Sequence, residues 1–273
     1  MKEEIRLRHK GKHFVRYCNK RNYTDNDYSI VRAVLGHMDD LLSLSLEQLA
    51  EESHLSEPSV SRFNRRSGFV SFWDFKSHMA KFLSARRLQK TQEYLDTRRG
   101  MDDDAVGERL YQTAVGNLEA TRRGLDTAKL ARIVKRMDQS RAVYLVGDTR
   151  DLYCFYSLQM DLMCRGKTVY FCNIDEVTAD LLSDLDSRSV LCVFSVCSEY
   201  YQDARRLVFR EARQKNAAVV WFTQDQQEAD RAEDAAPEVV YEYGVPGSQN
   251  EGYYSLPLLA QMMSELLYKT DKK

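Results

Sequence analysis

Two places in this chain hold side chains whose types and spacing could do chemistry. In the first, Ser59, Ser61, Arg62, Arg65 and Arg66 fall close together, with Lys76 a little further on. At 100° per residue on a helix they occupy the side away from Val60 and Phe63, and Asn64 turns toward those two apolar residues. Guanidinium groups grip guanine edges bidentately, and small hydroxyls touch bases or phosphates. A short helix with an apolar foot and such an outer face suits a DNA major groove. Arg62 and Arg65 are expected at or near base edges, Ser59 and Ser61 on bases or phosphates, and Arg66 and Lys76 on the backbone. The second place is a pair of turns, Gly147-Asp148-Thr149-Arg150-Asp151 and Ser195-Val196-Cys197-Ser198-Glu199-Tyr200, each following a short apolar run. Their small residues, hydroxyls, thiol and charges could line a site for a small polar ligand.

Catalysis has weak support there. Ser195, Cys197 and Ser198 could act as nucleophiles only beside a base, and all five histidines lie at or before His78. An isomerase would need a base over its substrate, for which Glu199 and Glu251 are the available carboxylates near the strand ends. The chain is expected not to be an enzyme. The cysteines, Cys18, Cys154, Cys164, Cys172, Cys192 and Cys197, show no CxxC spacing and mostly sit in apolar runs, so they read as small buried hydrophobes of a reducing cytoplasm. With histidines and cysteines largely in different parts of the chain, neither a metal nor another cofactor is expected.

The elements that must position these groups are of two kinds. Ser45 and Gln48 form a capping-box pattern ahead of a short helix, His54-Leu55-Ser56 makes a turn, and Ser56 can cap a second helix, Glu57 to Arg66, that stops at Gly68. Before them Thr24-Asp25-Asn26-Asp27 opens a helix carrying Ile30, Val31, Val34, Leu35 and Met38, and Met1–Asn22 is basic. After them Phe69, Phe72, Trp73, Phe75, Met79 and Phe82 supply bulky core. Residues 1–100 hold 19 lysines and arginines against 13 acidic residues, and residues 101–273 hold 21 against 28. A net charge of −1 therefore conceals a basic head, as phosphate contact needs, and an acidic body.

Asp96–Gly107 is polar and charged and reads as a linker. A helical stretch follows, with Leu110, Ala114, Leu118 and Thr121 on one face. Then Ala142–Val146, Thr168–Cys172, Val190–Phe194 and Ala218–Phe222 read as strands buried on both faces, with Val239–Tyr243 a candidate fifth. Helical segments Leu152–Cys164 and Tyr201–Gln214 alternate with them, and Tyr253–Tyr268 closes the chain. Such alternation means a doubly wound parallel sheet whose ligands bind past the strands' carboxyl ends. The expected organisation is α plus α/β: a helical DNA-binding domain over 1–95, a linker over 96–107 and an effector or oligomerisation domain over 108–273. No apolar run is long enough to span a membrane, and the charged start lacks a signal peptide's apolar core, so a cytoplasmic chain is expected.

Ser56, Ser61, Arg62, Phe63, Gly68, Phe69, Phe72, Phe75 and Lys76 match, place by place, the helix-turn-helix pattern S-x-x-x-x-S-R-F-x-x-x-x-G-F-x-x-F-x-x-F/L-K. The head thus resembles that of RpiR-type transcriptional regulators, and the body resembles the sugar isomerase (SIS) domain they carry. The resemblance implies operator DNA as partner, a phosphorylated sugar as effector, and a homodimer or homotetramer. A sugar-phosphate isomerase on the SIS fold, or an interaction protein with a vestigial helix-turn-helix, is the alternative. The expected ligand residues are Gly147, Thr149, Arg150, Ser195, Cys197, Ser198 and Glu199, of which Gly147, Ser195 and Glu199 keep the family's residues.

At that site the chain departs from the family. The usual G-x-G-x-S turn is Gly147-Asp148-Thr149-Arg150-Asp151, and the usual S-x-S-G-E-S/T turn is Ser195-Val196-Cys197-Ser198-Glu199-Tyr200. A phosphate cradle needs small residues and donors. Asp148 and Asp151 would repel a dianion and Cys197 is a poor donor, so sugar phosphates are expected to bind weakly or not at all. The closing helix, with Leu256, Leu258, Leu259, Met262, Met263, Leu266 and Leu267, is the expected holder of a dimer.

Overall fold

The computed structural model describes residues 26–97, 100–174, 176–194, 201–224, 237–245 and 252–269. The chain divides between Met101 and Asp102 into two compact units. The basic stretch Met1–Asn22 lies outside the described residues.

The first unit contains α1 (Asn26–Gly36), α2 (Leu46–Glu52), α3 (Glu57–Arg66) and α4 (Phe72–Thr97). Ser45 and Gln48 close the expected capping box on α2: the Gln48 N–H donates to Ser45 Oγ at 3.0 Å, and the Ser45 N–H donates to Gln48 Oε1 at 2.9 Å. His54, at φ +56°, turns the chain so that the Leu55 N–H reaches the Ala50 carbonyl at 2.9 Å. Ser56 does not cap α3 as expected, since its hydroxyl meets that of Ser59 at 3.0 Å. Beyond α3, Gly68 takes φ +84°, a conformation that costs glycine nothing. The start of α4 is held by a reciprocal pair: Ser71 Oγ accepts the Asp74 N–H, and Asp74 Oδ2 accepts the Val70 N–H, both at 3.0 Å.

Ile30, Val34, Leu44, Leu49, Val60, Phe63, Phe75 and Met79 form the core of this unit, with Phe69 edge-on to Phe75 at 5.1 Å. Trp73 is not part of it and is 73% exposed. The helix explains the miss: Phe72, Phe75, Met79 and Phe82 share a face, whereas Trp73 is rotated 100° from Phe72 and 160° from Phe75. His37 ties the segment after α1 to the end of α2, with Nε2 at 2.8 Å from Glu52 Oε1 and Nδ1 at 3.2 Å from Asp40 Oδ1. The Glu52 hydrogen bond, reinforced by Asp40, holds its imidazole above the ordinary pKa.

The second unit opens with α5 (Asp103–Arg123) and α6 (Thr127–Gln139). Its five strands are β1 (Ala142–Gly147), β2 (Thr168–Asn173), β3 (Ser189–Phe194), β4 (Ala218–Thr223) and β5 (Val239–Glu242). They lie in the order 2-1-3-4-5, every neighbouring pair parallel, which is the doubly wound sheet the alternating pattern predicts. Strands β1, β3 and β4 are buried throughout, as expected, while the outermost strands β2 and β5 are partly open. The helices are α7 (Thr149–Tyr153), α8 (Tyr156–Cys164), α9 (Gln202–Gln214) and α10 (Leu256–Lys269), the last preceded by a 3₁₀ turn, Gly252–Ser255.

Helices α6, α8 and α10 bury Leu130, Val134, Leu158, Leu162, Leu259 and Met263 on one face of the sheet. Val208, Phe209 and Ala212 of α9 cover the other face, together with Leu182 and Leu185. The single helix expected over Leu152–Cys164 is broken by Cys154 and Phe155, where the buried Phe155 ring stacks on Phe194 at 4.1 Å.

Three expectations change here. Helices enter the segment 96–107 from both sides: α4 runs to Thr97, and α5 starts at Asp103 with the Asp102 carboxylate accepting the Ala105 N–H at 2.8 Å, so the non-helical connection is shorter than expected. The acidic run that looks like a spacer is an acidic first turn, favourable at a helix's positive end. On α5 the buried residues are Asn117 and Thr121, and Leu110 is exposed. On α10 Leu256, Leu259, Met263 and Leu267 are spent inside their own unit, and only Leu258 of the expected stripe is largely exposed.

A buried polar chain replaces the leucine stripe of α5. Gly244 donates its N–H to Thr121 Oγ1 at 2.8 Å, Thr121 donates to Ser255 Oγ at 2.6 Å, and Ser255 donates to Asn117 Oδ1 at 2.6 Å. Gly244 takes φ +70°, and a Cβ there would lie 3.0 Å from both Asn117 Oδ1 and Gln224 Nε2, so this position requires glycine.

Candidate nucleic-acid interface and effector cleft

The face of α3 is built as its periodicity demands. Val60, Phe63 and Asn64 are buried, and the turn of the helix leaves Ser59, Ser61, Arg62, Arg65 and Arg66 on the remaining arc. Arg62 Nη2 donates to Ser59 Oγ at 3.0 Å, and Ser59 in turn meets Ser56, so a serine pair supports the guanidinium from beneath. Arg65 has no ion pair among the described residues and is exposed. Both guanidinium groups are exposed on this face. Asn64 is 1% exposed, and neither its amide nitrogen nor its oxygen has a hydrogen-bond partner.

Arg66 and Lys76 have other work. Arg66 pairs with Asp27 of α1, which spends part of its charge within the unit. Lys76 Nζ donates to the Leu42 carbonyl at 2.8 Å and to the Leu44 carbonyl at 2.7 Å, and it lies 5.2 Å from the centre of the Phe72 ring. A lysine that donates to two loop carbonyls holds the segment before α2 in place, a second role beside the expected contact with the DNA backbone. Further along α4, Arg87 pairs with Asp39 at 2.6 Å. The pairing of Asp27 with Arg66 escapes sequence reasoning because the packing of the unit, not helical spacing, brings the two together.

In the second unit the chain order reverses between β1 and β3, the point at which sheets of this kind form a ligand crevice past the strands' carboxyl ends. Gly147 ends β1 where a Cβ would stand 3.3 Å from the Phe194 carbonyl oxygen, so the two strand ends approach closely. Asp148 then caps α7: one carboxylate oxygen accepts the Arg150 N–H at 3.0 Å, and the other accepts the Tyr201 hydroxyl at 3.0 Å. The Asn173 amide donates to Thr149 Oγ1. Arg150 folds back, its Nε 3.4 Å from Asp151 Oδ1 and its guanidinium 4.9 Å from the centre of the Tyr253 ring. Asp151 is buried beneath it.

The structure brings Gly147, Thr149 and Arg150 together at this mouth, whereas Ser195, Cys197, Ser198 and Glu199 lie outside the described residues. Asn173, Tyr201 and Tyr253 join the site unannounced by the sequence. The one local signal is Asn173, a polar residue ending β2 opposite Gly147. Burial pushes the Cys172 and Cys192 thiols up to about 12, so both act as buried apolar groups, while Cys164 is exposed and Cys154 half-buried. No cluster of His, Cys, Asp and Glu suited to a metal occurs among the described residues, and none of their helices is long and apolar enough to cross a membrane.

Residues 18–86 match the helix-turn-helix domain of the rpiR family. The chain is similar to the HTH-type transcriptional regulator HexR of Escherichia coli K12, with 26% identity over 125 residues, 45% of this chain and 41% of that protein. An uncharacterized HTH-type transcriptional regulator of Haemophilus influenzae is 30% identical over 127 residues, 45% of this chain and 43% of its own. The chain thus spans less than half the length of these relatives. Among solved structures it is similar to the Vibrio vulnificus NanR protein complexed with ManNAc-6P, with 19% identity, a TM-score of 0.47 and coverage of 94% of this chain and 92% of that one. The sugar isomerase domain of an RpiR transcription factor from Sphaerobacter thermophilus shows 14% identity, a TM-score of 0.43 and coverage of 61% and 98%.

Proposed function

We propose that this chain, whose residues 18–86 carry the helix-turn-helix of the rpiR family, is a cytoplasmic DNA-binding transcriptional regulator with an α/β unit that senses a small ligand and holds copies together. The observation that carries this is the outer face of α3, where Arg62 rests on Ser59 and Arg65 stands free of ion pairs among the described residues. Arg62, Arg65, Ser59 and Ser61 read the operator, and Arg66 assists from its pairing with Asp27. Sequence selection from random duplex DNA with the full chain tests it. One enriched motif, lost in Arg62→Ala and Arg65→Ala, is the expected result, and binding without preference would refute it.

The α/β unit does not catalyse in this reading. The sequence has no histidine after His78, and the crevice carboxylate Asp148 is committed to a helix cap and a tyrosine hydroxyl. The same carboxylate makes the site hostile to phosphate. It already supplies an anion to the Arg150 N–H and the Tyr201 hydroxyl, and a ligand dianion would stand against it. Sugar phosphates therefore bind weakly, and a neutral or cationic metabolite is the better effector. Calorimetric titration with a panel of sugar phosphates beside uncharged and cationic metabolites tests this. Micromolar binding of any sugar phosphate, abolished by Ser195→Ala, would overturn it.

Two heads must be held at a fixed spacing to grip one operator, so a homodimer or homotetramer is proposed. Since α10 is spent in its own core, the holding surface is assigned to Tyr156, Met160 and Met163 of α8 and the preceding Tyr153, each more than half exposed. Their spacing places them along one side of the chain, and a stripe of this kind marks an interaction surface. Light scattering on the intact chain and on Met160→Glu checks the assignment. A monomer at micromolar concentration, or an unchanged oligomer in the variant, would sink it.

A further inference from the structure

Away from the crevice, at the open edge of the sheet, a cavity of about 570 Å³ lies between α6 and β5. Its floor is apolar, made of the buried Ile133 and Val220 and the half-buried Val239, with Val240 lining it from a strand position whose side chain packs on the other face of the sheet. Its rim carries Lys129, Arg132, Lys135 and Arg136 with Gln139 and one carboxylate, Glu238. Helical geometry explains the combination: Lys129, Arg132 and Arg136 lie within 60° of one another beside Ile133, at the border where the buried face of α6 meets solvent. Val220 is in the middle of β4, and Val239 begins β5, which is separated from β3 by β4. The cavity is therefore distinct from the crevice past β1 and β3.

The charge balance of this place is unusual for its surroundings. Residues 101–273 are acidic overall, with 21 basic and 28 acidic residues, and several of their arginines are paired: Arg122 with Glu119, Arg141 with Asp186 and Arg165 with Asp138. On the rim, Arg136 has Glu238 at 3.8 Å, but Lys129, Arg132 and Lys135 have no acidic partner among the described residues. Unpaired cations gathered over an apolar floor raise the local concentration of anions, and the half-buried Val239 with the aliphatic stems of the lysines and arginines offers the apolar contact. The volume falls inside the range of roughly 300–1,000 Å³ usual for small-molecule sites.

We propose that this cavity is a second ligand site, for a small organic anion with an apolar body: a carboxylate or phosphate monoester whose head meets Lys129, Arg132 and Lys135 and whose body covers Ile133, Val220 and Val239. A phosphate ion alone would leave the floor wet, and an apolar alcohol would leave the cations unanswered. Duplex DNA would need its phosphates on an open ridge, whereas here the cations surround a concavity.

The test is isothermal titration of the full chain with octyl phosphate, octanoate, 1-octanol and inorganic phosphate. Saturable binding of octyl phosphate or octanoate is expected, with 1-octanol and inorganic phosphate each weaker by about tenfold or more. The double variant Lys129→Gln, Arg132→Gln changes one half-buried and one exposed position, and should lose about tenfold or more in affinity for the two amphiphilic anions at unchanged circular dichroism and melting temperature. Arg150→Gln, in the crevice, should leave that binding unchanged, which separates this site from the proposed effector site. Absence of saturable binding by both amphiphilic anions, equal affinity for 1-octanol, or loss through Arg150→Gln and not through Lys129→Gln, Arg132→Gln would overturn the proposal.

Discussion

Replacing Lys76 with methionine separates two accounts of that residue. Methionine keeps most of the aliphatic stem and removes the ammonium, so the change isolates the bonds to the Leu42 and Leu44 carbonyls and the contact with Phe72. A hydrogen bond to a charged group contributes about 1.5–3 kcal/mol, but the Leu42 contact is exposed and water replaces part of it, leaving about 2 kcal/mol for the pair. An exposed cation–π contact adds about 0.5–1 kcal/mol. The first unit should therefore lose about 2–3 kcal/mol, which is roughly a 30- to 150-fold change in its opening equilibrium. Amide hydrogen exchange on the full chain reads this locally. Peptides from α2, α3 and the start of α4 should exchange faster by about that factor, while those from β1, β3 and β4 serve as unchanged controls. Unchanged protection of the first unit, together with a uniform loss of DNA affinity and a salt slope flatter by about one, would show Lys76 on phosphate and refute the reasoning.

Arg62→Ala and Arg65→Ala should each weaken operator binding by about 1–3 kcal/mol and relax preference at one base pair, measured by competition with single-base operator variants. Asn64→Leu should leave the first unit as stable or make it more stable by about 1–2 kcal/mol, because it removes a buried amide with no partner; destabilisation in denaturant titration would contradict that. His37 gains its partners Glu52 and Asp40 on folding and has a raised pKa, so its contribution is fully present below its unfolded pKa of about 6.5 and is lost as pH rises through the folded value. Melting of the first unit should therefore fall on that rise in the native chain and stay flat with respect to this term in His37→Gln; identical pH profiles would contradict it.

The parts legible in the sequence share a cause. The capping box at Ser45, the stop at Gly68 and the buried side of α3 depend on residues within a few positions of one another, as do the hydrophobic runs that became β1 to β5. What escaped depends on contacts across the fold. Lys76 looks like a free cation until two carbonyls more than thirty positions earlier are brought beneath it. Trp73 looks like core because its neighbours are, and only its angle on α4 puts it outside. In the crevice, the sequence marks Asp148 as a charge but not as a cap, since Tyr201 arrives from another element. The leucines of α10 are equally silent about whether they face their own sheet or a partner.

The chain of hydroxyls from Gly244 through Thr121 and Ser255 to Asn117 has a mechanical meaning as well as a cohesive one. Each group serves as acceptor for one neighbour, donor to the next, or both, and no member is more than 2% exposed except Gly244. Sliding α5 along its axis by one residue, about 1.5 Å, would break this relay where water has no access to mend it. The carboxyl-terminal turn of α5 is thus indexed to the end of β5 and to the 3₁₀ turn, like a key cut to a single notch. The 21-residue helix, about 30 Å long, can then tilt with those elements but cannot creep past them.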